Sequence, residues 1–169
     1  MTTATKTYAQ ANAEAWSETI LNHWDAFQWA DRLCSTAKGL HSETRQILED
    51  AGAIFGEDDE LTDDAYPCIV IGSHVLERVQ ELALSVELRS EWMTVDQFHR
   101  TEDLEAGAFR ILLTYGGPHL EIRGEVDACG YAQNPRLFYS EMGQPEAELK
   151  LSATPYYALE WFALQFVFG

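Results

Sequence analysis

Basic residues are scarce in this chain. Three lysines and 8 arginines stand against 28 acids in 169 residues, which gives a net charge of −17 and an isoelectric point near 4.4. A field of that sign repels phosphates, so nucleic acid and anionic membranes are excluded as direct partners, and a basic protein surface is the partner expected. Cysteine is sparse too. Cys34, Cys68 and Cys129 are odd in number and far apart, which argues against a disulfide framework and for free thiols in a reducing cytoplasm. No Cys-x-x-Cys or His-x-x-x-His spacing occurs among them and His23, His41, His74, His99 and His119, so no metal site is expected, and no cofactor. Long apolar runs are missing as well: no stretch of 18 residues could span a bilayer, and Met1-Thr-Thr-Ala-Thr-Lys6 lacks an apolar signal core.

What is present is a globular composition. Hydrophobic residues make up 46% of the chain, enough for a core in a single domain over 1–169. The clearest pattern lies at 108–126. Phe109, Ile111 and Leu113 alternate with Arg110, Leu112 and Thr114. After Gly116-Gly117-Pro118, Leu120, Ile122 and Val126 alternate with Glu121, Arg123 and Glu125. Period-2 alternation on both sides of a glycine turn predicts a β-hairpin. Strands are predicted over 85–94, 108–116, 119–127 and 135–142, paired antiparallel in sequence order, with Asp127-Ala-Cys-Gly130 as the next turn. Val86, Leu88 and Trp92 share one face of the first strand. Residues 96–107 read as a polar insertion.

Helical spacing dominates 1–84. Trp16, Ile20, Trp24 and Phe27, widened by Leu21, Trp29 and Leu33, predict a helix over 8–37 closed by Gly39. A short helix follows from Thr44 to Asp50, led by Ser42 and stopped by Gly52. Pro67-Cys-Ile-Val-Ile-Gly72 fits either a strand or the start of a helix, with Ser73 as the expected N-cap for Val75, Leu76 and Val79. Residues 154–168 predict an aromatic helix opened by Thr154 and Pro155, apolar on two sides: Tyr157, Trp161, Leu164 and Phe168 on one, Leu159, Phe162 and Phe166 on the other. The expected fold class is α+β: N-terminal helices over 1–84, a four-stranded antiparallel meander over 85–143, and a covering helix at 154–168.

Candidate sites are few. Gly56-Glu-Asp-Asp-Glu-Leu-Thr-Asp-Asp64 holds six acids and no base. It lacks the spacing of a calcium loop. Together with Glu49 and Asp50, the acids Glu57, Asp58, Asp59, Glu60, Asp63 and Asp64 form the expected partner-binding patch. His119 and Cys129 bracket one strand and should lie about 30 Å apart, too far for a catalytic pair. Glu121 and Glu125 share one strand face with Arg123, and their charges are expected to be tied up in cross-strand pairs. An enzyme would need two or more of His99, Glu121, Cys129 and Tyr139 to converge, and no catalytic residue is expected.

Three stretches carry a resemblance. Leu84-Ser-Val-Glu-Leu-Arg-Ser-Glu-Trp92, Ile111-Leu-Leu-Thr-Tyr-Gly-Gly-Pro118 with Ile122 and Gly124, and the ending Gln165-Phe-Val-Phe-Gly169 resemble a family of small proteins carried on phages, plasmids and integrated elements of proteobacteria. Glu91, Tyr115 and Val167 depart from that family's pattern, and the match covers the C-terminal half only. The resemblance implies a mobile-element setting, where small acidic proteins resemble anti-CRISPR or anti-restriction inhibitors. Charge density points the same way: at one charge per about 1.7 Å, 17 charges equal about 29 Å of duplex, against a diameter of about 40 Å for a folded chain of this length. The expected function is inhibition of a host defence complex, a CRISPR effector or restriction enzyme, through its basic groove. The alternative is an oligomeric binding or scaffold protein, since 5 Trp, 7 Tyr and 8 Phe are rich for this length and edge strands invite pairing.

Overall fold

The computed structural model describes residues 7–33, 35–90, 106–115 and 117–166. The fold is α+β, with helices α1 (Tyr8–Asp31), α2 (Ser42–Asp50), α3 (Cys68–Glu81) and α4 (Ala153–Ala163). One antiparallel sheet holds β1 (Ser85–Ser90), β2 (Ala106–Thr114), β3 (His119–Val126), β4 (Ala132–Ser140) and β5 (Ala147–Glu148), hydrogen-bonded in that order. The chain divides into two compact units, one of residues 1–17 and 83–169 and one of residues 18–82. The masses of charge differ: the smaller unit holds 14 acids and 4 bases, the larger 14 acids and 7 bases.

In the sheet unit, alternation decides which side chains go inside. Phe109, Ile111, Leu113, Leu120, Ile122 and Leu137 are all at most 2% exposed. Ile111 stands opposite Ile122, and Ile122 opposite Leu137, so one apolar row crosses three strands. Helix α4 packs on β4 and buries Ala158, Leu159, Phe162 and Ala163. Each aliphatic side chain taken out of water this way contributes about 1.5–3 kcal/mol. The Gly117–Pro118 bond is cis, with Gly117 at φ +106°, so the turn falls where the sequence places it. Gly124 marks a bulge: an added Cβ there would meet the Gln133 carbonyl and the Phe109 ring at 2.5 Å.

Several boundaries differ from expectation. Strand β5 was hidden in the polar stretch after β4, because two residues carry no periodicity. β4 begins at Ala132 rather than 135. β1 is described only to Ser90, so the expected Trp92 position and the insertion over 96–105 lie outside the described residues, while Ala106 and Gly107 belong to β2. Val86 and Leu88, on the apolar face of what was expected to be a half-buried strand, are 41% and 49% exposed, so that face is not covered at this edge. Helix α4 buries one stripe and not two, leaving Tyr157 and Leu164 exposed; Phe168 lies outside the described residues.

In the helical unit, α1 stops at Asp31, well before Gly39. The physical reason lies further along the chain. Residues 35–37 are recruited into extended pairing with the acidic loop: Leu61 N–H donates to Ser35 O (2.6 Å) and Ala37 N–H to Asp59 O (2.8 Å). Leu33, expected on the apolar stripe, turns out at φ +53° and is 70% exposed. Trp29 remains inside and donates its indole N–H to Thr36 O at 2.7 Å. Around it sit Ala26, Ala30, Leu48, Ala51, Ala53, Ile71 and Val75. Residues 68–72 resolve as helix: α3 starts at Cys68 after Pro67, and Ser73, expected as the cap, lies inside and donates back to Ile69 O (3.0 Å). Ser42 begins α2 without capping it; its hydroxyl donates to Glu43 instead.

Candidate partner-binding surface

The acidic run is an ordered hairpin, not a loose loop. Phe55 pairs with Leu61 and Thr36 with Glu60 as isolated β-bridges. Gly56 N–H donates to Glu60 O (2.9 Å), Asp59 N–H to Gly56 O (3.1 Å), and Thr62 N–H to Ile54 O (2.8 Å). Asp59 takes the left-handed conformation at φ +61°, which Asp tolerates better than most residues. Phe55 holds the hairpin to the core by meeting the Trp29 ring edge-on, with centroids 5.6 Å apart.

Arginines divide the eight predicted acids into two groups. Arg45 on α2 binds Glu49 one turn on (Nε to Oε1, 2.8 Å) and also Asp59 at the hairpin tip, and its guanidinium lies over the Phe55 ring at 5.2 Å. Hydrogen bonds that Arg45 donates to Glu49 and then to Asp59 raise its pKa above the ordinary value. Asp50 is engaged by Arg78 through its carboxylate (3.5 Å) and its carbonyl (3.2 Å). Glu49, Asp50 and Asp59 therefore serve the fold. Glu57, Asp58, Glu60, Asp63 and Asp64 are exposed and, among the described residues, face no arginine or lysine within ion-pair distance. Five of the eight are thus uncompensated charge, Glu57, Asp58 and Glu60 on the anchored hairpin and Asp63 and Asp64 in the turn that follows it.

A second constellation was only partly legible. On the solvent side of the sheet Glu87, Arg110, Arg123 and Arg136 stand opposite one another on β1 to β4. Like charges directly opposite repel. Glu121 relieves this: its carboxylate contacts Arg123, lies 3.7 Å from Arg110 Nη1, and accepts from His119 Nε2 at 2.8 Å. It is 0% exposed, sealed by those side chains. Glu87 takes Arg110 Nη2 on both oxygens (2.8 and 2.7 Å), and Glu146 takes both Arg123 nitrogens (2.8 and 2.5 Å). Arg123 also stacks on Phe138, 4.9 Å from its centroid. Burial alone would lower the Arg123 pKa, but Glu146 and Glu121 overcome it and hold the value above normal. The expected cross-strand pairing of Glu121 is present, to Arg110 on β2, while its contact with Arg123 lies within β3. Glu125, past the bulge, accepts from Asn134 instead (3.1 Å).

Of the enzyme candidates, the three described ones, Glu121, Cys129 and Tyr139, do not converge. Tyr139 stands opposite Leu120 and so shares its face, whereas Glu121 points to the other. Cys129 sits in the turn beyond β3, where Asp127 Oδ1 accepts from the Cys129 and Tyr131 N–H groups at 2.9 Å. Those bonds, Tyr131 first, lower the Asp127 pKa. His99 lies outside the described residues. Among the described residues no group of three or more His, Cys, Asp or Glu is placed to hold a metal, and no helix is long and apolar enough to cross a membrane. No family model, curated protein sequence or solved structure matches the chain.

Proposed function

We propose that this chain is a non-catalytic inhibitor of a nucleic-acid-binding host defence complex, a CRISPR effector or a restriction enzyme, and that it places its acidic hairpin in the basic groove that otherwise holds nucleic acid. The observation that carries the reading is the group of five uncompensated acids, Glu57, Asp58 and Glu60 on a hairpin anchored by Arg45, Phe55 and backbone pairing, and Asp63 and Asp64 in the turn that follows it. An anchored hairpin loses little conformational freedom on docking, so less of its electrostatic attraction is spent on ordering. Exposed carboxylates in sequence stand in for successive phosphates. The resemblance of 84–92 and 111–124 to mobile-element proteins gives the setting.

A pull-down of bacterial lysate on the immobilised chain should recover subunits of such a complex, and the purified chain should displace DNA from them. Association should be fast and fall steeply with salt, since exposed charges are screened within about 10 Å at 0.1 M. Recovery of housekeeping proteins only, or tight binding of duplex DNA by the chain itself, would refute the reading.

A further inference from the structure

The chain seats an arginine twice in the same way, on an aromatic ring with two carboxylates beside it. Arg45 lies over Phe55, 5.2 Å from the ring centroid, and pairs with Glu49 and Asp59. Arg123 lies over Phe138 at 4.9 Å and pairs with Glu121 and Glu146. A third ring follows two carboxylates in the chain and holds no such cation. Asp63 and Asp64 are the exposed corners of a turn closed by Ala65 N–H donating to Thr62 O (3.1 Å), and Tyr66 comes directly after it. The Tyr66 N–H donates to Gly52 O (3.1 Å), and its ring lies against Gly52, where an added Cβ would collide with it. The ring meets His74 edge-on, with centroids 5.7 Å apart, and among the described residues no arginine or lysine lies over it. Tyr66 is nevertheless 54% exposed. Ile54, whose carbonyl accepts from Thr62 N–H (2.8 Å), is 48% exposed.

Given the partner-binding role proposed for the acidic surface, on which this rests, we infer that Tyr66, Asp63 and Asp64 form a seat for an arginine of the partner protein. The guanidinium lies on the exposed ring and its N–H groups donate to the two carboxylates. Carboxylates alone would accept lysine as well as arginine. The ring makes the difference. A guanidinium is planar and weakly hydrated, so it stacks on an aromatic face and keeps its in-plane donors for carboxylates, whereas an ammonium is a compact, strongly hydrated point charge. Ile54 adds apolar surface for the methylene stem of the arginine. The ring is already held by Gly52 and His74, so little ordering is spent on binding. Glu57, Asp58 and Glu60 differ in this respect. The ring of their hairpin, Phe55, is occupied by Arg45 and packed on Trp29, so those acids attract either cation.

Calorimetric titration of the full chain with acetylated, amidated hexa-arginine and hexa-lysine at about 0.1 M salt tests the seat, because the two peptides carry equal charge. Hexa-arginine should bind about fivefold more tightly. Tyr66→Leu should remove the preference by weakening hexa-arginine and leaving hexa-lysine unchanged, while Tyr66→Phe should keep it. Asp63→Asn with Asp64→Asn should weaken both peptides, hexa-arginine more. Circular dichroism would confirm the fold of each variant. Equal affinity of the unmodified chain for the two peptides, or a preference that survives Tyr66→Leu, would overturn the inference while leaving the pull-down result standing. A failed pull-down with the Tyr66-dependent preference intact would remove the defence complex as partner and keep the arginine seat.

Discussion

The solvent face of the sheet and the acidic hairpin both expose rows of charge, and they use it in opposite ways. On the sheet, Glu87, Arg110, Glu121, Arg123 and Glu146 alternate in sign and pair with one another. On the hairpin and the turn after it, Arg45 takes only Asp59, and five further acids stay uncompensated. Compensated charge is a structural device: it fixes strand register and lets a carboxylate be buried. Uncompensated charge contributes nothing to the fold and leaves its field available to a partner. The net charge of −17 therefore does not describe a uniform surface.

The largest expected effect separates the two surfaces by stability. Glu121→Ala would leave Arg110 opposite Arg123 with no carboxylate between them. Breaking a fully buried pair costs about 3–5 kcal/mol. Both arginines keep about 40% of their surface in water, which reduces the expected loss to about 2–3 kcal/mol. Replacing Ile111 with Ala, in the row behind it, should cost about 2–5 kcal/mol. Urea denaturation would compare them. A loss below about 0.5 kcal/mol for Glu121→Ala would mean that the sheet charges are as dispensable as those of the hairpin.

Acid sensitivity gives a smaller effect, inside the helical unit. His23 is 8% exposed on α1, and its ring nitrogen Nδ1 lies 2.8 Å from Thr19 O. Burial lowers its pKa below 6.5; the bond to Thr19 opposes this, and Arg78 adds to the lowering. The sign follows. Above the unfolded value both states are neutral and His23 adds no pH dependence. As pH falls below about 6.5 the unfolded chain takes up the proton first, so stability declines until the folded state is protonated too. Unfolding measured from pH 7.5 to 5 should show this decline, and His23→Gln should flatten it. An unchanged slope would place the acid sensitivity elsewhere.

The sheet was legible because its signals are local. Phe109, Ile111 and Leu113, then Leu120 and Ile122, recur at every second position, and Gly-Gly-Pro breaks the run. The burial of Glu121 was not legible. Alternation puts it on the solvent side, correctly, but its cover comes from Arg110 on another strand and from Arg123 and His119 on either side of it. The same holds for the acidic patch. Composition showed where the acids are. Which ones are free depends on Arg45 reaching Asp59, 14 residues away, and Arg78 reaching Asp50, 28 away. Periodicity also missed the end of α1, because the stretch that replaces the helix is held by pairing with residues 59–61.

The smallest expected effect on stability is the sharpest test of the comparison. Reversing Glu57, Asp58, Glu60 and Asp63 to Lys changes four exposed side chains with no ion-pair partner among the described residues. Surface substitutions of this kind stay within about 0.5 kcal/mol each. The hairpin should persist, because its backbone bonds, the Arg45–Asp59 contact and the Phe55–Trp29 packing are untouched. Association with a basic partner should nonetheless slow by orders of magnitude while dissociation changes little, since charges at the rim of an interface act mainly on encounter. Arg45→Ala is the complementary variant. It keeps every acid but frees Glu49 and Asp59 and removes the cation over Phe55. If partner binding needs only negative charge, this variant should bind as well or faster. If it needs the anchored shape of the hairpin, it should bind more weakly despite its greater negative charge, and stopped-flow association rates of the two variants side by side would decide between charge and shape.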